Sequence, residues 1–213
     1  MYLNDALRKE TRLKYICCHH EQAAAMAAEG YSRASDGSLA VVSVTSGPGG
    51  TNAITGLLGQ WTDSIPVLYI SGQVKFENTL ASVPNSGLRQ LGDQETNIID
   101  IVKPITKYAK MVTDPQNIQH ELQKAMRIAI EGRPGPVWLD IPLNVQGAEI
   151  KDECDDVLAE LLKAKRPLIV AGHGIRISGA HKALKNLVKL LNIPVFTTFN
   201  GFDFIPSIYD NFI

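Results

Sequence analysis

The chain has 213 residues, 45% of them hydrophobic and 20% charged, ordinary values for a globular protein. A formal net charge of −1 with no basic stripe argues against nucleic acid or an anionic membrane surface as the main partner. No apolar run reaches the roughly 18 residues that span a bilayer, and the N-terminal MYLNDALRKETRLKYI has no signal-peptide core.

In chain order, residues 15–18 form a short apolar run that predicts a strand, and 21–34, rich in alanine, predict a helix. Residues 39–45 (LAVVSVT) predict a buried strand, 50–61 a helix and 65–70 a second buried strand. A Gly/Ser/Asn-containing stretch, 72–92, reads as loop. A short amphipathic piece (95–102) precedes a strand over 105–112, a helix over 115–131 and a strand over 136–141. Pro115 suits the first helical turn, with Asp114 as its N-cap. Uniformly apolar strands alternating with helices predict an α/β fold whose parallel sheet is covered on both faces.

The composition turns polar after Pro142. Residues 145–165, with KDECDD at 151–156, read as a linker that becomes helical near 155–164. A second α/β pattern follows: strand 167–171, turn 172–178, helix 180–191 and strand 194–198. One βαβ unit of this size buries little core on its own. Residues 166–213 therefore read as the opening of an incomplete Rossmann-like domain, after a first domain over 1–144.

Several short motifs carry chemistry-bearing residues. Cys17, Cys18, His19 and His20 are consecutive, and neighbouring strand residues point to opposite faces, so the four do not close on one metal ion. They read as two buried thiols and two loop histidines. Three cysteines, two of them adjacent, speak against a disulfide framework and for a reducing cytoplasm. Glu21 opens a predicted helix, where a carboxylate meets the helix dipole favourably. TSGPGGTN (45–52) joins a strand to a helix and lacks the Gly-Lys-Ser/Thr of a nucleotide-binding P-loop. As a bare pattern it is either a tight turn or a ligand loop. AGHGIRISGA (171–180) has Gly-x-Gly after a strand, but Ile177 stands at the third glycine of the dinucleotide fingerprint.

Five segments occur in order: HHEQAAAMAAEGYSRASDG, TSGPGGTN, TDSIPVLYISGQV, DQETNIIDIVKPITKYA and GRPGPVWLDIP. Together they resemble the pyrimidine-binding domain of thiamine diphosphate-dependent enzymes, in the acetolactate synthase-like branch. The likeness covers nearly all of 1–144, and the unit after Arg166 resembles the start of that family's central domain.

The resemblance implies a three-layer domain and a set of site residues. Glu21 matches the glutamate that contacts N1′ of the cofactor's aminopyrimidine. In an apolar pocket its carboxyl has a raised pKa and shares a proton with N1′. Loss of the C2 proton, attack on a 2-oxo acid and decarboxylation follow. The small side chains of Ala23, Ala24 and Ala25 let neighbouring structure pack behind that carboxylate. Gly49, Gly50, Thr51 and Asn52 match the loop near the cofactor, and Gln94 matches the glutamine of a Phe-Gln-Glu segment, with Glu95 beside it.

Three departures stand out. Asp93 replaces the phenylalanine of that segment and puts pyruvate in doubt as substrate. The loop 75–89 is longer than in the synthases. No Gly-Asp-Gly signature for magnesium and the diphosphate is present, so the resemblance implies that a domain absent here holds them. The expectation is a fragment, inactive alone, of a 2-oxo-acid carboligase or decarboxylase that is a homodimer or tetramer at full length. The alternatives are one subunit of a split enzyme and a non-catalytic dimerisation module.

Overall fold

The computed structural model describes residues 2–35, 38–150, 153–201 and 203–206. Asp36 and Gly37 of the first motif, and Lys151 and Asp152 of the predicted linker, lie outside them. The chain divides into two units, Met1–Ile150 and Lys151–Ile213.

The first unit starts with α1 (Tyr2–Lys9) and α2 (Glu21–Ala34), then β1 (Ala40–Val44), α3 (Pro48–Asn52), α4 (Ile54–Asp63) and β2 (Val67–Gln73). Single 3-10 turns at Phe76–Asn78 and Leu80–Ser82 follow, then α5 (Ile98–Val102), β3 (Tyr108–Met111), α6 (Ile118–Ile130), β4 (Val137–Pro142) and α7 (Leu143–Gln146). Alanine gives up no side-chain entropy in a helix, which favours α2 over its whole length. His20 caps it, its Nδ1 accepting from the Gln22 N–H at 3.2 Å. Asp114 caps the turn that leads into α6, accepting from the Gln116 N–H at 3.0 Å.

The four strands are all parallel, in the order β1-β2-β4-β3. Alternation along the strands divides their side chains between two cores. On one face Val42, Tyr69 and Trp138 pack with Ala25 and Ala28 of α2, Leu57 of α4, and Ile98 and Val102 of α5. Tyr69 and Trp138 stack with ring centroids 4.6 Å apart. On the other face Leu68, Val137, Leu139 and Ile141 pack with Ala125 and Ala129 of α6 and Val145 of α7. The result is helix, sheet, helix. Val44, Ser71, Asp140 and Met111 stand in one row across the sheet, near the carboxyl ends of the strands.

Four expectations are corrected. Residues 15–18 form no strand: the segment is irregular and exposed, Ile16 being 90% accessible, and a short apolar run makes no ladder without a partner. Cys17 and Cys18 are accordingly exposed rather than buried. The single helix over 50–61 is two, because the Ala53 N–H turns back to the Gly50 carbonyl at 3.2 Å and tightens the chain there. In addition, β2 runs on through Gly72 and Gln73, which read as loop in the sequence.

The second unit contains α8 (Glu153–Lys163), β5 (Ile169–Ala171), α9 (Gly174–Ile177), α10 (His181–Leu191) and β6 (Val195–Thr197). β5 and β6 pair in parallel around α10. Its core is Ala171, Leu184, Val188, Val195, Phe204 and Ile205. Arg176 and Asp203 form a salt bridge at 2.6 Å. Among the described residues no helix is long and apolar enough to cross a membrane.

Candidate active site

Glu21 is the first residue of α2, and the glycine loop leaves the carboxyl end of β1 to face it. Asn52, at the end of α3, donates from Nδ2 to Glu21 Oε2 at 3.1 Å across 31 residues of chain. The second oxygen looks onto Gly49. A Cβ at residue 49 would stand 3.7 Å from Glu21 Oε1 and only 2.7 Å from Thr45 Cγ2. Residue 49 has to be glycine because the Thr45 methyl already fills the place of a side chain, and this lets the loop close against the carboxylate.

This setting corrects the expected electrostatics of Glu21. The carboxyl is half-buried and is held below its usual value. The Asn52 hydrogen bond is the main cause, helped by a backbone hydrogen bond and His20 and opposed by partial burial. An apolar enclosure that would raise it is not what surrounds it in this chain.

The other predicted residues take different positions. Gly50 is buried, and a Cβ there would touch Ile98 at 3.2 Å and the Trp138 ring at 3.7 Å. Thr51 is exposed and turns its hydroxyl onto its own loop, donating to the Pro48 carbonyl at 3.3 Å. Gln94 is exposed and meets the loop at Gly47. A Cβ at Gly47 would lie 2.4 Å from the Gln94 carbonyl oxygen, and Gly47 itself has φ +59°. Both the conformation and the close approach demand glycine. Of the small residues behind Glu21, Ala25 is fully buried, Ala24 partly buried and Ala23 exposed. The tight contact is Ala25 against Gly56 of α4, where an added Cβ would stand 2.5 Å from that of Ala25.

Two groups of supporting residues escape a reading of the sequence. Glu95 is the clasp of the long loop: its carboxylate accepts from the N–H groups of Leu80 at 2.5 Å, Leu91 at 3.1 Å and Gly92 at 3.3 Å. Asp140 is fully buried in β4, where the one acid of the apolar VWLDIP is the signal that could have drawn attention. Ser71 Oγ donates to its Oδ1 at 2.5 Å and Gln73 Nε2 to its Oδ2 at 3.1 Å. Burial pushes the Asp140 carboxyl up to about 6, against the lowering effect of those two hydrogen bonds. Among the described residues no three His, Cys, Asp or Glu side chains converge as a metal site.

The site therefore offers one anchored carboxylate beside a glycine-rich loop, at the carboxyl edge of a parallel sheet where α/β folds bind ligands. Residues 1–100 match the family described as "Thiamine pyrophosphate enzyme, N-terminal TPP binding domain", and residues 154–213 its central domain. The chain is 34% identical over 220 residues to a glyoxylate carboligase of Escherichia coli O157:H7, covering 95% of this chain and 36% of that protein. It is 36% identical over 228 residues to an acetolactate synthase large subunit of Buchnera aphidicola, covering 97% and 38%. A third relative, an acetolactate synthase large subunit of Lactococcus lactis, is 34% identical over 227 residues, covering 96% and 37%. The chain thus spans little more than a third of the length of these curated relatives. With two successive domains of one family matched over 1–100 and 154–213, the chain belongs to the thiamine pyrophosphate enzymes and is similar to acetolactate synthase large subunits and a glyoxylate carboligase.

Proposed function

We propose that this chain supplies the aminopyrimidine side of a thiamine diphosphate site in a carboligase or decarboxylase of 2-oxo acids, with Glu21 as the carboxylate on the pyrimidine ring. The observation that carries the reading is the Glu21–Asn52 hydrogen bond, which fixes one carboxylate oxygen and leaves the other beside Gly49 of the glycine loop.

When bound, thiamine diphosphate supplies a carbon nucleophile for the 2-oxo acid and an electron sink for the pair left by carbon dioxide. Glu21 holds a proton at the ring nitrogen. Its low pKa in the free chain keeps it ionised, the form that favours a protonated nitrogen opposite it. Asn52 orients the carboxylate. Gly47, Gly49 and Gly50 keep the loop thin enough for close approach, and Gln94 borders it. In this reading magnesium and the diphosphate are held by residues outside those described. The working enzyme is a homodimer or tetramer in a reducing cytoplasm, where the exposed Cys17 and Cys18 stay thiols.

The test mixes the purified chain with a separately produced polypeptide that carries the family's Gly-Asp-Gly half. The chain alone is expected to decarboxylate neither pyruvate nor glyoxylate. In the mixture, exchange of the cofactor C2 proton should accelerate, and Glu21→Gln should slow it by about 100-fold or more. Exchange that is indifferent to Glu21→Gln removes the proposal, and loss of assembly in place of exchange favours a dimerisation module.

A further inference from the structure

The buried carboxylate of Asp140 has no part in the chemistry above, yet hydrogen bonds lead from it to both walls of the candidate site. One arm runs through Ser71, whose Oγ donates to Asp140 Oδ1 at 2.5 Å and accepts from Trp138 Nε1 at 2.8 Å. The Trp138 ring lies under Gly50, 3.7 Å from where a Cβ would stand. The other arm runs through Gln73. Its Nε2 donates to Asp140 Oδ2 at 3.1 Å and to the Thr96 carbonyl at 2.9 Å, and its Oε1 accepts from the Val74 N–H at 3.1 Å. Thr96 is two residues from Gln94, whose carbonyl rests on Gly47. Asp140, Ser71 and Gln73 are all buried, and every polar atom of the two arms has a partner.

A buried carboxylate is costly to keep in an apolar sheet. Leucine would fit the alternation of β4 at lower cost, so the acid has to do something leucine cannot. It accepts on two oxygens at once and thereby fixes two donors 2 residues apart on the same strand face. We propose that Asp140 is a positioning residue that braces the glycine loop through Ser71 and Trp138, and the Gln94 segment through Gln73 and Thr96, so that the two walls keep one fixed separation. The inference rests on the reading above only for what the walls enclose.

The groups facing the carboxylate come from β2: Ser71 and Gln73, with Trp138 of β4 behind Ser71. None of them titrates near neutrality, and among the described residues no charged side chain contributes to the shift of Asp140, which follows from burial and those two hydrogen bonds. Asp140→Asn is the informative variant. An amide accepts on its oxygen alone, and its NH2 is set against the Ser71 hydroxyl or the Gln73 NH2. Gln73→Met removes the second arm and leaves the first.

The experiment is hydrogen exchange on the purified chain, without cofactor, together with a pH titration of Trp138 fluorescence in a Trp61→Phe background. In Asp140→Asn, amides in 47–53 and 91–98 should exchange about tenfold faster or more, while those of α6 keep their rates. In Gln73→Met only 91–98 should accelerate. Trp138 emission should titrate with a midpoint near pH 6 and lose that transition in Asp140→Asn. Unchanged rates in both loops, a uniform loosening of every element, or a flat Trp138 titration overturns the proposal. If Asp140→Asn does not fold, Gln73→Met decides, and unchanged rates in 91–98 then overturn it. No thiamine diphosphate enters these measurements, so a failed Glu21→Gln test leaves their outcome intact.

Discussion

Asn52 sets the charge of Glu21 more than any other neighbour, and that makes the pair testable without catalysis. Asn52→Ala should move the Glu21 midpoint up toward 4.5, read from the carboxyl 13C shift against pH. An unmoved midpoint would show that the hydrogen bond is not what lowers it. The sign for stability follows: the folded value lies below the ordinary one, so the contribution is present above about pH 4.5 and fades as pH falls through the folded value. Gly56 gives a second single-residue prediction. An added methyl would meet the Ala25 Cβ at 2.5 Å and its backbone carbon at 3.2 Å, and backbone cannot swing aside. Gly56→Ala should cost about 1–3 kcal/mol in urea unfolding, because α2 and α4 must part. The alanines of α2 announced a close neighbour in the sequence. Nothing in the sequence said that the neighbour is Gly56, since that contact is made only when two helices cross.

α6 and β3 are joined by Glu121. Its carboxylate accepts from the Tyr108 hydroxyl at 2.5 Å and pairs with Lys110 Nζ at 2.6 Å. Burial pushes this carboxyl up, and Lys110 and Tyr108 more than offset it, leaving it below its ordinary value. Its stabilising effect is therefore present above about pH 4.5 and lost in acid. Glu121→Gln should cost about 1–3 kcal/mol at neutral pH, since Lys110 is half-exposed and can return to water. It should also flatten the acid limb of the stability curve, measured by denaturant melts from about pH 3 to pH 7. The helices and strands themselves were largely readable. The bounds 21–34 coincide with α2 because capping, alanine content and the following Ser35 all agree. The run at 15–18 misleads because its apolar character suggests a ladder, and pairing depends on a neighbour that local sequence does not name. Asp140 and Gln73 went unread for a related reason: each is one polar residue in a strand, and the partner that gives it meaning lies far along the chain.

The first unit closes two cores around one sheet, whereas the described residues of the second form one core of six. A polypeptide ending at Ile150 should unfold in one cooperative transition by calorimetry, and residues 151–213 alone should show none, because their described residues bury one small core. A sharp transition in the shorter piece would refute the second half of that expectation. The sheet order also leads to an expectation about the order of folding events. β1 and β2 are joined by one helical crossover, but β2 meets β4 only after everything between them has been brought round: Ser71 and Asp140 are 69 residues apart. Contacts of such long range carry the largest loop-closure entropy and form slowly. Trp138 sits at that closure, hydrogen-bonded to Ser71 and stacked on Tyr69. In a refolding experiment on a Trp61→Phe variant its emission should change in the last phase, so the residue that backs the glycine loop would also be the clock that tells when the site has been built.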